Sequence, residues 1–206
     1  KSDNPEAFLR NCIEDKVKEG TKLIASQGGY VEPEFYLNDD ETKVAYLCHN
    51  GDYYSTCINQ EPMLIQHLKD ELHSYIKNDM DSCFKSLEES LIRKGFEANL
   101  IYNGFEIVLV PKKVIIRSDS KLEIKKADET STRLNIEAVV PTRLYNLAIT
   151  VQRIVSDEAL YCNFEEVSFM LLHPDMEVDK LLTGEGSKYY TVMDKDTREK
   201  FSFAIR

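Results

Sequence analysis

Residues 91–117 read LIRKGFEANLIYNGFEIVLVPKKVIIR, and the spacing of the apolar positions changes in the middle of them. Up to Gly95 the apolar residues recur every three to four positions, which puts them on one stripe of a helix. From Asn99 onward they alternate or run together, as strands require. Asn103-Gly104, flanked by apolar stretches at 99–102 and 105–110, is a two-residue hairpin signal, because a type I′ turn needs positive φ at both central positions. The change of period separates a helical half from a strand half, so the predicted fold class is α+β.

On the N-terminal side of this switch, Pro62 opens the helical stripe Ile65, Leu68, Leu72, Tyr75, Ile76, Met80, Cys83, Phe84, Leu87 and Leu91, with Asn78-Asp79 as a point of fraying or kinking. An earlier helix starts at Asp3-Asn4-Pro5-Glu6, which offers a capping side chain, a proline where no N–H is needed and an acid near the positive end of the dipole. Its apolar face is Leu9, Ile13, Val17 and Ile24, with Phe8, Cys12 and Gly20, and Gln27-Gly28-Gly29 stops it. Between the helices, residues 30–58 are irregular and aromatic, with Val44-Ala45-Tyr46-Leu47 as a short strand.

On the C-terminal side, strands are expected at 114–117, 122–126 and 134–140, separated by Ser118-Asp119-Ser120 and by the acidic, Ser/Thr-rich stretch 128–132. Pro141-Thr142 starts a third helix with Leu144, Leu147, Ala148, Val151, Ile154 and Val155 on one face. Residues 164–172 fit a short helix or a strand equally. A terminal hairpin joins 189–193 to 201–205 through a polar loop. The expected architecture is an antiparallel β-meander sheet packed against three main amphipathic helices, with a disulfide-braced N-terminal half. One extracytoplasmic domain is expected over 1–206, divisible into a mainly helical, Cys-rich 1–95 and a sheet with one covering helix in 96–206. A chain that stops at Arg206, directly after an alternating strand pattern, is expected to continue in the natural protein.

Against 26 basic residues stand 36 acidic ones, a net charge of −10, so the average surface repels phosphate backbones and nucleic acid is not an expected partner. No run approaches the roughly 18 apolar residues of a membrane span.

Five cysteines stand at 12, 48, 57, 83 and 162, and none forms a C-x-x-C pair of the zinc or redox kind. Cys48 and Cys57 flank a turn-rich segment, so both fall at the base of one loop. Cys12 and Cys83 lie on the apolar sides of two helices whose packing brings them together. Bridges Cys12–Cys83 and Cys48–Cys57 are therefore expected, with Cys162 left unpaired within these residues and its natural partner beyond Arg206. The competing reading is five reduced thiols buried in a cytosolic protein.

No catalytic residues, metal or cofactor are indicated. Asp39-Asp40-Glu41 and Asp194 with Asp196 sit in expected turns and read as solvated loop. Asp194-x-Asp196 lacks the mid-loop Gly and the terminal Glu of a calcium loop. His67 and Glu71, one helical turn apart with Asp70 nearby, read as the polar face of a helix without an H-E-x-x-H pattern. Gly184-Glu185-Gly186-Ser187 leads into a strand, where a phosphate loop needs a helix N-terminus. Cys162 with His173 is the one nucleophile pair in principle, and Lys112-Lys113 and Lys125-Lys126 protect strand edges. Tyr46, Tyr53 and Tyr54, near the short bridge, form the candidate interaction patch, with core packing reserved for at least one of them.

Phe8-Leu9, Cys12-Ile13, Glu19-Gly20, Leu23-Ile24 and Gln27-Gly28-Gly29-Tyr30, together with Tyr75-Ile76, Cys83-Phe84, Tyr190-Thr191 and Phe203-Ala204-Ile205-Arg206, resemble a family of uncharacterised archaeal surface proteins widespread in small-genome DPANN archaea. The resemblance spans most of the chain, with Gln-Gly-Gly-Tyr its distinctive element. It implies a soluble ectodomain whose full-length protein is anchored in the membrane by a hydrophobic, pilin-like N-terminal helix outside these residues, and it carries over no catalytic residues. The expected partners are a protein or cell-surface partner, self-assembly included, and the expected role is structural or adhesive. The alternative from another class is a secreted or envelope-anchored hydrolase, for which His173, Cys162 or His67 would have to meet buried carboxylates in one deep pocket.

Overall fold

The Asn4 side chain accepts hydrogen bonds from the N–H groups of Glu6 (3.0 Å) and Ala7 (3.4 Å), and Pro5 fills the first turn, so helix α1 (Pro5–Ser26) starts where its sequence signals lie. The computed structural model describes residues 4–52, 55–126 and 129–206. After α1 come the short strands β1 (Tyr36–Asp39), β2 (Thr42–His49) and β3 (Ile58–Asn59), then helix α2 (Leu64–Arg93). Thirty residues of α2 run without a break through Asn78-Asp79, because its buried stripe from Leu64 to Leu91 stays in phase throughout. α1 and α2 pack antiparallel, Cys12 meeting Cys83 at one end and Lys16 lying over the Tyr75 ring further along.

Strands β4 (Glu97–Val110) and β5 (Lys113–Lys126) follow as a long antiparallel hairpin, with β6 (Glu129–Leu134) and β7 (Glu137–Pro141) pairing in turn along β5. The hairpin turn is not at Asn103-Gly104. Those two residues form a bulge inside β4, with Gly104 at φ 108, and the turn is Pro111-Lys112, with Lys112 at φ 68. Proline followed by a residue of positive φ is the combination a type II turn uses, and Asn146 Oδ1 takes the Lys112 N–H at 3.0 Å. A local signal for positive φ thus marks a bulge here, because the strand resumes pairing with the same partner on both sides.

The turn expected at Ser118-Asp119-Ser120 is likewise strand interior. Ser118 and Ser120 are buried, share a hydrogen bond of 2.7 Å, and bond to the carbonyl and the N–H of Ile136. Their hydroxyls satisfy backbone where β6 gives way to β7, so polar residues sit on the buried face without an orphaned group. On that face Val114, Ile116, Ser118, Ser120 and Leu122 alternate with solvent-facing residues. Across it α2 packs on β4, with Phe84 stacked on Tyr102 at 4.2 Å and His73 on Phe105 at 4.3 Å.

Helix α3 (Leu144–Tyr161) buries the apolar face read from the sequence, α4 (Glu166–Leu172) is a short helix, and β8 (Met176–Leu182), β9 (Lys188–Asp194) and β10 (Lys200–Ile205) complete the chain. The second sheet has the order β1-β2-β10-β9-β8, with β3 on β2. Its β2–β10 ladder is parallel, pairing Tyr46 with Ala204 and Cys48 with Ile205, and every other ladder among the described residues is antiparallel. The fold is therefore α+β with antiparallel-dominated sheets, and the meander divides into two sheets that share one buried cluster with α1, α2 and α3.

Candidate functional site

Cys12–Cys83 and Cys48–Cys57 are both bridged, with Cα–Cα distances of 5.9 and 5.3 Å. Two such bridges belong to an oxidising, extracytoplasmic environment. No helix among the described residues is long and apolar enough to cross a membrane. Cys162 is a free, exposed cysteine at the end of α3, with φ 55.

Gln27-Gly28-Gly29-Tyr30 clasps α1 to its neighbours. The Gln27 side-chain amide donates to the carbonyls of Tyr30 (3.0 Å) and Val31 (2.5 Å), and the Gln27 backbone carbonyl accepts the Ala45 N–H at 3.2 Å. The Tyr30 hydroxyl donates to Glu61, and the ring lies 4.3 Å from that of His67. Burial, then the hydrogen bond to Glu61, raises the Tyr30 pKa well above its ordinary value. Glu71 accepts the Val31 N–H at 2.7 Å, so it closes this clasp rather than pairing with His67 as a metal ligand. No group of three or more His, Cys, Asp or Glu among the described residues is arranged to hold a metal.

Tyr46 leaves the expected interaction patch. It is 7% exposed, its hydroxyl hydrogen-bonds Ser187 at 2.9 Å and its ring packs on Phe35, because β2 is the interior strand that β10 joins. Tyr53 and Tyr54 lie outside the described residues. Asp194 is likewise buried. Expected in solvent, it is 4% exposed, accepts from the N–H groups of Asp196 and Thr197 and from the Thr197 hydroxyl, and lies 3.5 Å from Arg143 Nε. One carboxylate thereby organises the whole β9–β10 loop.

That loop forms one wall of a cavity of about 580 Å³. The second half of α1 and the β7–α3 junction form the others. Its floor is apolar and buried, made by Ala25, Leu144 and Leu147, and its rim carries Lys18, Lys22, Arg198 and Lys200. Glu199 is the one carboxylate among the lining residues, and its Oε2 accepts from the Thr142 hydroxyl and the Arg143 N–H, each at 2.8 Å. The sequence gives no local sign of this cavity, since its walls come from three distant segments.

A second feature is the corner where α3 ends, α4 follows and β8 forms the sheet edge. Leu160, Tyr161, Val167, Leu171, Leu172, Leu181 and Leu182 are each at least 64% exposed. Hydrogen bonds hold the corner together: Lys188 Nζ to the Cys162 carbonyl (2.6 Å), Lys180 Nζ to the Phe164 carbonyl (2.9 Å), and the Val178 N–H to Met170 Sδ (3.3 Å). α4 buries none of its residues fully, so a segment whose composition fits a core helix lies on the outside. His173 stacks on Phe169 at the far end of α4, and neither it, Cys162 nor His67 lines the cavity.

No family model, curated protein or solved structure matches the chain.

Proposed function

We propose that this chain is an extracytoplasmic domain that works by binding, with a structural or adhesive role at an archaeal cell surface. In the full-length protein an N-terminal, pilin-like segment outside these residues holds it at the membrane or in a filament. The observation that carries the binding reading is the exposure of seven large apolar side chains, each at least 64%, on the end of α3, α4 and the edge strand β8, because exposed apolar surface of this kind marks interaction sites. The unpaired Cys162 in the same corner, within a chain whose other four cysteines are bridged, favours a second copy of this chain as the partner. The two disulfides support the extracytoplasmic part, and the resemblance carried by Gln27-Gly28-Gly29-Tyr30 supports the tether. The rival hydrolase reading draws no support from the cavity, whose lining includes none of His67, Cys162 and His173.

Sedimentation velocity over a concentration series tests the self-association. The wild-type chain should associate as concentration rises, and Leu171→Asp/Leu172→Asp should stay monomeric with an unchanged circular dichroism spectrum. A wild-type chain monomeric at every concentration would remove the corner as a self-association surface. The tether is tested by expressing full-length protein in an archaeal host, where it should fractionate with the envelope and be cut by protease added outside intact cells. Recovery in the cytosol overturns it.

A further inference from the structure

The average charge of this chain is strongly negative, yet the rim of the 580 Å³ cavity carries four cations to one acid. Lys18 is paired with Glu14 at 2.7 Å, and Glu199 is engaged at the start of α3. Lys22, Arg198 and Lys200 have no carboxylate within ion-pairing distance among the described residues. Below them the floor is fully apolar at Leu144 and Leu147, each 1% exposed. We propose that this cavity binds a small amphiphilic anion, a carboxylate on an aliphatic body.

Each part of the lining selects for that chemistry. A cavity of this volume falls in the range that small-molecule sites occupy, and its apolar floor favours burial of a hydrocarbon body. Three exposed cations with no carboxylate partner among the described residues stand at the mouth, Arg198 with its Nη1 4.0 Å from Met193 Sδ, and they favour a negative head, so the head is held at the rim and the tail goes down. A neutral body forfeits the charge contacts, and an inorganic anion forfeits the floor. The site is also built in advance of any ligand. Arg198 sits in the left-handed region at φ 64, and its N–H bonds the Asp194 carbonyl at 2.8 Å. The same buried Asp194 carboxylate fixes Asp196 and Thr197, so the loop that presents Arg198 is held in one shape.

Isothermal titration with decanoate, decanol and inorganic phosphate tests the proposal, using the 206-residue chain and two sets of variants. Lys22→Glu/Arg198→Gly removes rim charge, and glycine suits the φ of position 198. Lys85→Glu changes an exposed lysine elsewhere. Decanoate should bind one to one, about tenfold or more tighter than decanol, the scale of several exposed ion pairs acting on one head. The affinity should fall about tenfold in Lys22→Glu/Arg198→Gly and stay unchanged in Lys85→Glu, and phosphate should not displace it. Equal binding of decanoate and decanol, displacement by phosphate, or an unchanged affinity in Lys22→Glu/Arg198→Gly overturns the proposal. Loss of decanoate binding in Leu171→Asp/Leu172→Asp would overturn it too, by moving the ligand to the apolar corner.

Discussion

Lys188 Nζ lies 2.5 Å from Oε2 of Glu158, a carboxylate buried to 1% exposure on α3, and the Tyr190 hydroxyl donates to the other oxygen of the same group. β9 thus supplies both partners of a charge buried in the apolar face of a helix, which is what makes an acid tolerable there. The same ammonium reaches the Cys162 carbonyl at the negative end of α3. Lys188→Met leaves the carboxylate buried with one donor, and urea denaturation should show a loss of about 3–5 kcal/mol. Lys188→Met/Glu158→Leu removes both charges and should recover most of that loss. A double variant no more stable than Lys188→Met would mean that the two residues are not energetically coupled.

Alkaline pH should find a weakness at Tyr190 and at two further, partly buried tyrosines. Burial is the main cause holding the phenolic protons of Tyr190, Tyr30 and Tyr102 above their ordinary range, followed by the hydrogen bonds to Glu158 and Glu61 for the first two and by the charge of Asp81 for the third. In the unfolded chain these tyrosines ionise near pH 10, whereas in the fold they stay protonated at that pH. Above about pH 10 the unfolded chain therefore binds fewer protons than the folded one, so their stabilisation is complete below that pH and declines as pH rises. Each adds a slope approaching about 1.4 kcal/mol per pH unit. Urea midpoints measured between about pH 9 and 12 should fall with increasing steepness, and Tyr190→Phe should make the fall shallower. An identical slope in Tyr190→Phe would remove that residue from the account.

Gly28 and Gly95 make a controlled pair. Both have positive φ, 75 and 83, but a Cβ on Gly28 would lie 2.8 Å from Ala45 Cβ and 2.9 Å from its backbone nitrogen, whereas nothing lies within 4 Å at Gly95. Gly95→Ala should cost about 1–2 kcal/mol, the left-handed penalty alone. Gly28→Ala adds overpacking against a buried strand and should cost about 2–5 kcal/mol. Equal urea midpoints for the two variants would show that β2 yields without cost.

What the sequence discloses here is mostly local. Asn4-Pro5, the in-phase stripes of the three long helices and the turn-flanked Cys48 and Cys57 each act over a few residues, and each appears in the fold as read. Asn103-Gly104 fails as a hairpin because the same positive φ serves a bulge, and only the continued pairing with β5 decides between them. Tyr46 takes the core place reserved for one of the three tyrosines, and Asp194 is buried where solvent is expected, because burial at both depends on partners far along the chain, Ala204 and Ser187 for one, Arg143 for the other. The cavity needs α1, the start of α3 and the β9–β10 loop at once, and the parallel β2–β10 ladder joins segments more than 150 residues apart with no periodicity of its own to announce it.

The cysteines give the most direct test, because the pairing and its energetic order both follow from position. Peptide mapping without reductant should recover Cys12 linked to Cys83 and Cys48 linked to Cys57, and Ellman titration of the native chain should count one thiol, at the exposed Cys162. The first bridge closes a separation of 71 residues and the second one of 9, so the first restricts the unfolded chain more. Chain entropy gives about 4 kcal/mol for the long loop and about 2.5 for the short one. Cys12→Ala/Cys83→Ala should therefore lower the urea midpoint more than Cys48→Ala/Cys57→Ala. One local effect opposes this order, because the α1–α2 interface keeps its packing when the sulfurs go, whereas β3 is two residues long and depends on the Cys48–Cys57 clip for its place on β2. If the short bridge proves the costlier to remove, local structure rather than chain entropy sets the effect, and β3 should then lose amide-exchange protection in Cys48→Ala/Cys57→Ala while α1 keeps it. Five titratable thiols in the native chain would place the protein in a reducing compartment and remove the extracytoplasmic reading with the bridges.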